Sequence, residues 1–165
     1  MAPNEIRRRR KGFVRRSRLI DEVRPRKTNP LERVDEINHQ FHHVQKNLTK
    51  WLDMEKQCET EFAFYVQSHS MRSPEMKRQA ARLMRRLLIA DKRRYPIFRK
   101  WAILQVYHTV YTTFPSPNEE ERVWGKIAKI LKSYEEREAM VDRLLHNPAL
   151  FEDYVNGCIS RAKGW

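Results

Sequence analysis

The sequence predicts an all-α protein: an elongated helical bundle of four or five helices, built on one long N-terminal helix (about 30–68) and preceded by an extended Arg-rich arm. Three observations predict it. Apolar residues recur at heptad spacing from Val34 to Tyr65. A capping residue followed by proline recurs at Asn29-Pro30, Ser73-Pro74, Ser116-Pro117 and Asn147-Pro148. The 165 residues include only four glycines, so sharp turns are few and long helices with short links are favoured.

Residues 1–28 form the arm, and 29–165 the expected helical domain. The arm holds eleven Lys or Arg against Glu5, Asp21 and Glu22, which is +8 of the net charge of +13. Like charges repel, and Ile6, Phe13, Val14, Leu19 and Ile20 are too isolated to bury one another, so this block is not expected to fold alone. In the leading reading, Arg7, Arg8, Arg9, Arg10, Lys11, Arg15, Arg16 and Arg18 thread along a polyanion and neutralise phosphates. An import presequence is the second reading, because such segments are Arg-rich and acid-poor. Against it, the arm has Ser17 as its lone serine, and four consecutive arginines charge every helix face. A nuclear address or a solvated tail is the third. The chain starts at Met1, and no presequence is expected to have been cleaved from it.

Asn29 can cap the long helix, Pro30 suits its first turn, and Glu32 can complete a capping box. Val34, Phe41, Leu48, Glu55 and Phe62 take the a slots, and Ile37, Val44, Trp51, Cys58 and Tyr65 the d slots; nine of the ten are apolar, and Glu55 is the exception. At 1.5 Å per residue, such a helix is roughly 57 Å long. Aromatic residues at a and d, and Asn38, Gln40, Gln45 and Asn47 at e and g, argue against a self-paired zipper. A homodimer is therefore not expected. The stripe widens at Leu52, Met54 and Val66, so the second half should pack on later helices of the same chain. The narrower first half (Val34, Ile37, Phe41, Val44, Leu48) is expected to meet a partner helix.

The second helix is expected from Pro74 to about Arg94, with Met76, Ala80, Leu83, Met84, Leu87, Leu88 and Ala90 inward. Arg78, Arg82, Arg85, Arg86 and Arg93 fall largely on its other face. Residues 71–100 hold eleven basic residues against Glu75 and Asp91, whereas an ordinary solvated helix interleaves Glu with Lys. These arginines are read as a second, rigid anion-binding face. Pro96 is expected to break or kink the chain. Ile97 to Thr112 follows, apolar nearly all round, and reads as a central buried helix in which His108 is a satisfied core histidine. Phe114 to Pro117 is the clear loop. Another helix spans about Pro117 to His146, with Val123, Trp124, Ile127, Ile130, Leu131, Tyr134, Val141, Leu144 and Leu145 as its stripe and room for a kink at Ser133–Glu138. The last runs from Pro148 to about Ala162 with Phe151, Tyr154, Val155, Cys158 and Ile159. Trp165 is read as a docking anchor at the terminus.

Chemistry-bearing patterns are scarce. His39 and His43 share a helix face, but with His42 they occupy the c, f and b slots, outside the seam, and no third metal ligand stands at a useful spacing. They read as solvent- or phosphate-facing. His69 reads as a hydrogen-bonded helix-end histidine. Glu119, Glu120 and Glu121 lie in a first helical turn, where acids suit the macrodipole. Neither a P-loop nor a nucleophile elbow nor a dinucleotide glycine pattern occurs. Cys58 and Cys158 lie on apolar faces and read as buried small hydrophobes. No signal peptide or membrane-spanning apolar run is seen. The expectation is accordingly of no catalytic, metal or cofactor-binding residue, and of a chain that is not an enzyme.

A charge of +13 points to polyanionic partners. The leading expectation is a non-enzymatic structural subunit of a ribonucleoprotein assembly: a mitochondrial-type ribosomal protein that meets rRNA through the arm and the arginine face, and neighbouring proteins through its helical body. The alternative is an accessory subunit of a mitochondrial membrane complex, an ATP synthase or respiratory complex, whose basic surface meets anionic lipid or acidic neighbours. A DNA-associated or cytoskeletal helical adaptor is the third class, though no helix-turn-helix or zinc pattern supports it. A mitochondrial location follows from arm composition, with nucleus and cytoplasm left open.

Overall fold

The structure is a computed structural model that describes residues 29–164. The expectations for Arg7–Arg10, Lys11, Arg15, Arg16, Arg18 and Trp165 lie outside the described residues. Four helices follow in order: α1 (Pro30–Ser68), α2 (Pro74–Thr113), α3 (Pro117–His146) and α4 (Pro148–Ala162). Helix accounts for 91% of the described residues and no strand occurs among them, so the fold class is all-α.

The helix starts come from local chemistry. Asn29 Oδ1 accepts from the Leu31 amide at 3.0 Å, Ser116 Oγ from Glu119 at 3.3 Å, and Asn147 Oδ1 from Leu150 at 3.2 Å. Each bond satisfies one of the amides that a first helical turn leaves without an intrahelical partner, and each is followed by a proline that has no amide to satisfy.

Pro96 does not divide α2. One helix of 40 residues runs through it, where the second helix was expected to end near Arg94. Proline removes one helical hydrogen bond and crowds the carbonyl four residues earlier, a penalty of about 3 kcal/mol. Burial on both sides offsets it. Ala90, Asp91 and Tyr95 before Pro96 are 2% exposed, and Ala102, Ile103, Leu104 and Val106 after it are 0–1% exposed. Tertiary packing of this extent overrides a local breaker. Helix α3 likewise continues through Ser133–Glu138.

The helical domain divides into two compact units. Of the described residues, one comprises 29–45 with Phe98–Lys129; the other comprises Lys46–Ile97 with 130–164. In the second unit all four helices share one core. Phe62 and Val66 of α1 join Ala80, Met84 and Leu88 of α2, Val141 and Leu144 of α3, and Phe151, Val155 and Ile159 of α4. Val66, at an e position of the heptad, is wholly buried. The stripe therefore widens into the core at Val66, whereas Leu52 and Met54, expected to widen it as well, are exposed. Two polar contacts tie the ends of α1 and α4 together: Lys163 Nζ donates to the His69 carbonyl at 3.2 Å, and Gln67 Nε2 donates to the Ala162 carbonyl at 3.3 Å. Helix α1 has no basic residue in its own last turn, and Lys163 supplies one. His69 Nδ1 lies 3.0 Å from the Tyr65 carbonyl, with its ring stacked on Tyr65.

In the first unit Ile37, Ala102, Ile103, Leu104, Val106, Tyr107 and Trp124 are buried. Tyr107 meets Trp124 edge-on with ring centroids 5.5 Å apart, and Phe41 lies 6.1 Å from Trp101. The C-terminal part of α2 is not apolar all round. Gln105, His108 and Thr112 lie together on its polar arc, and His108 is exposed rather than a core histidine.

Candidate nucleic-acid interface

Rotation of 100° per residue brings Arg78, Arg82, Arg85, Arg86 and Arg93 within an arc of about 100° on α2. All five are exposed. Arg78 to Arg93 covers roughly 22 Å of helix axis. The opposite side of the same helix carries Ala80, Met84 and Leu88 into the four-helix core, so the rotation of α2, and hence the direction of its arginine face, is fixed by packing.

Several of these side chains are also held. The Arg85 guanidinium lies 5.1 Å from the centroid of the Phe151 ring, and that of Arg93 lies 5.4 Å from the centroid of the Trp51 ring. Arg82 Nη1 donates to Gln79 Oε1 at 3.4 Å. Among the described residues Arg86 alone of the five has a carboxylate partner, Glu61 at 3.4 Å. That pair is exposed on both sides and is worth at most about 1 kcal/mol. The arginine face thus keeps most of its positive charge, with neutral rings and amides to hold it in place.

On the inward side of α2 lies a polar cluster that the spacing along any one helix does not assemble. Asp91 is 2% exposed and accepts from Arg94 Nη2 at 3.0 Å. Arg94 Nε approaches Glu55 Oε2 at 2.8 Å, an ion pair without hydrogen-bond alignment. Arg137 of α3 completes the set: its Nε donates to Tyr95 Oη at 2.9 Å and stands 3.6 Å from Asp91 Oδ2. Lys92 pairs with Asp142 close by. Burial raises the Glu55 carboxyl above its usual range, and repulsion from Asp91 adds to this; the attraction of Arg94 only partly offsets it. Burial opposes the charge on Arg94, but Glu55 and Asp91 more than compensate, and its pKa rises. Tyr95 is held neutral, first by burial and then by Asp91. Two acids facing two arginines cancel, so the cluster joins α1, α2 and α3 and leaves the surface charge to the other arginines. Two signals in the sequence mark it: Glu55 is the one polar residue in the seam, and Asp91 falls beside the apolar stripe of α2.

The remaining sequence candidates are placed as follows. Ile37 is 1% exposed within its own chain, so it is not available to a partner helix as expected; the seam turns it into the first unit, where Phe41 meets Trp101. Val34, Phe41, Val44 and Leu48 are half-buried. His39, His42 and His43 are exposed on α1. Among the described residues no group of three or more His, Cys, Asp and Glu could hold a metal ion, and no helix is long and apolar enough to cross a membrane. Cys58 is buried and Cys158 half-buried, both as free thiols. A surface depression lined by Glu59, Thr60, Ala63, Phe64 and Gln67 comes from α1 alone.

No family model, curated protein or solved structure matches the chain.

Proposed function

We propose that this chain is a non-enzymatic structural subunit of a ribonucleoprotein assembly, a ribosomal protein of mitochondrial type, that contacts rRNA through its Arg-rich arm and the arginine face of α2. The observation that carries the reading is the face itself: five exposed arginines on one side of a helix whose other side is locked in a core. The arm adds +8 of charge in the 28 residues that precede the described helices. Guanidinium groups suit phosphate because their planar donors match its oxygens. Protein–phosphate contacts release counterions, so binding should weaken steeply with salt.

The test is a pair of binding measurements on the full chain, one to structured RNA on filters and one to anionic vesicles by flotation. Tight, salt-sensitive RNA retention with little flotation is the expected result. Flotation without RNA retention would replace this reading with a basic surface facing anionic lipid, as in a membrane-complex subunit. Removing residues 1–28 should weaken RNA binding and leave the helical content of the rest unchanged.

A further inference from the structure

The arginine face differs in one respect from the usual surface for single-stranded nucleic acid. Single strands are held by basic grooves combined with aromatic rings on which unstacked bases lie. Here the two rings next to the arginines are already covered: Arg85 lies over Phe151, and Arg93 over Trp51. Phe151 is 9% exposed, so its ring is part of the core and offers no platform. What the face presents is guanidinium, with Ile89 (38% exposed) among the arginines.

The face is also pre-ordered, on one continuous helix. Arg78, Arg82, Arg85 and Arg86 form a dense group over about 12 Å of axis, and Arg93 stands roughly 10 Å farther on. A flexible single strand has to be ordered along such a rod, and without base stacking little compensates the lost freedom. A double helix arrives already ordered, with phosphates at fixed spacing on a stiff ridge. Double-stranded RNA is recognised through phosphate, 2′-hydroxyl and shape, which asks for charged donors and not for rings.

We infer that the α2 face takes the phosphate backbone of double-helical RNA, without regard to sequence, and is not a single-strand site. This rests on the RNA-binding reading above and narrows it. Arg85 and Arg93 are positioned donors in this account, oriented by Phe151 and Trp51.

The experiment uses the full chain and its R78Q/R82Q/R86Q variant, each titrated at one salt concentration with a blunt RNA duplex and with an unstructured uridine-rich RNA carrying the same number of phosphates. Glutamine keeps helix propensity, and circular dichroism checks that the variant is folded. The chain should bind the duplex at least tenfold more tightly than the single strand, and the triple substitution should lose most of that difference. Equal or tighter single-strand binding overturns the duplex inference and leaves the RNA-binding reading in place. A duplex preference that the triple substitution leaves unchanged also overturns it, because the preference then resides elsewhere. Failure to bind either RNA overturns both.

Discussion

Arg94 stands 2.8 Å from Glu55 and 3.0 Å from Asp91, so one guanidinium bridges a carboxylate on α1 and another on its own helix. The two acids are not equivalent. Asp91 is 2% exposed and serves both Arg94 and Arg137, whereas Glu55 keeps 21% of its side chain exposed and, among the described residues, has Arg94 as its one ion-pair partner. Removing Asp91 leaves two arginines without their shared partner; removing Glu55 leaves Arg94 still paired. Asp91→Asn should therefore cost about 3 kcal/mol, in the range for breaking a buried pair, and Glu55→Gln little or nothing, because burial already opposes the Glu55 charge. Urea unfolding of both variants measures this, and an equal or reversed order would contradict the hierarchy.

The same pair predicts a pH dependence. Burial raises the Glu55 pKa in the folded chain, so the folded state holds that proton more tightly than the unfolded state does. The contribution of Glu55 to stability is then greatest when the group is protonated, and falls as pH rises from the ordinary carboxylate value through the raised one. The stability of the wild type minus that of Glu55→Gln should fall across that window and level off above it. A difference that grows with pH there would mean that Arg94 stabilises the carboxylate more than burial opposes it.

Pro96 sits inside an unbroken α2 and is itself exposed. Its ring removes a helical hydrogen bond that alanine would restore. Pro96→Ala should raise stability by about 1 kcal/mol or more, part of the penalty attached to proline in a helix interior. A loss of stability would show that the proline ring itself is required for the packing on either side.

The four-helix core sets the direction of the arginine face. Leu88 is 3% exposed and packs in that core, so Leu88→Ala should cost about 2–5 kcal/mol. Leu52, at 37% exposed, should cost under about 0.5 kcal/mol on the same change. Similar costs at the two positions would contradict the assignment of the core.

Much of this fold is legible in the sequence because its signals are local. Asn29, Ser116 and Asn147 mark helix starts through bonds to amides two or three residues away, and the heptad seam marks which side of α1 turns inward. All ten seam positions are buried or half-buried, Glu55 included. The continuation of α2 past Pro96 is not legible, because the proline penalty is local while the burial that offsets it is tertiary. His108 was misread because the apolar arc of α2 covers only part of the helix circumference. The exposure of the five arginines follows from their position opposite the α2 stripe. What holds them does not: Phe151 lies on α4 and Trp51 on α1, and nothing in the spacing along α2 points to either. The Glu55–Arg94–Asp91–Arg137 cluster is likewise assembled from three helices, and a linear reading leaves its members as scattered charges.

The salt dependence of binding reads out whether the α2 arginines contact RNA phosphates. The slope of log affinity against log salt concentration counts the phosphates neutralised, and each lost contact lowers it by about 1. For a structured RNA, R78Q/R82Q/R86Q should lower the slope by about 3 relative to the unsubstituted chain, with helical content unchanged. An unchanged slope and affinity would show that these arginines do not touch the RNA, and would contradict the account.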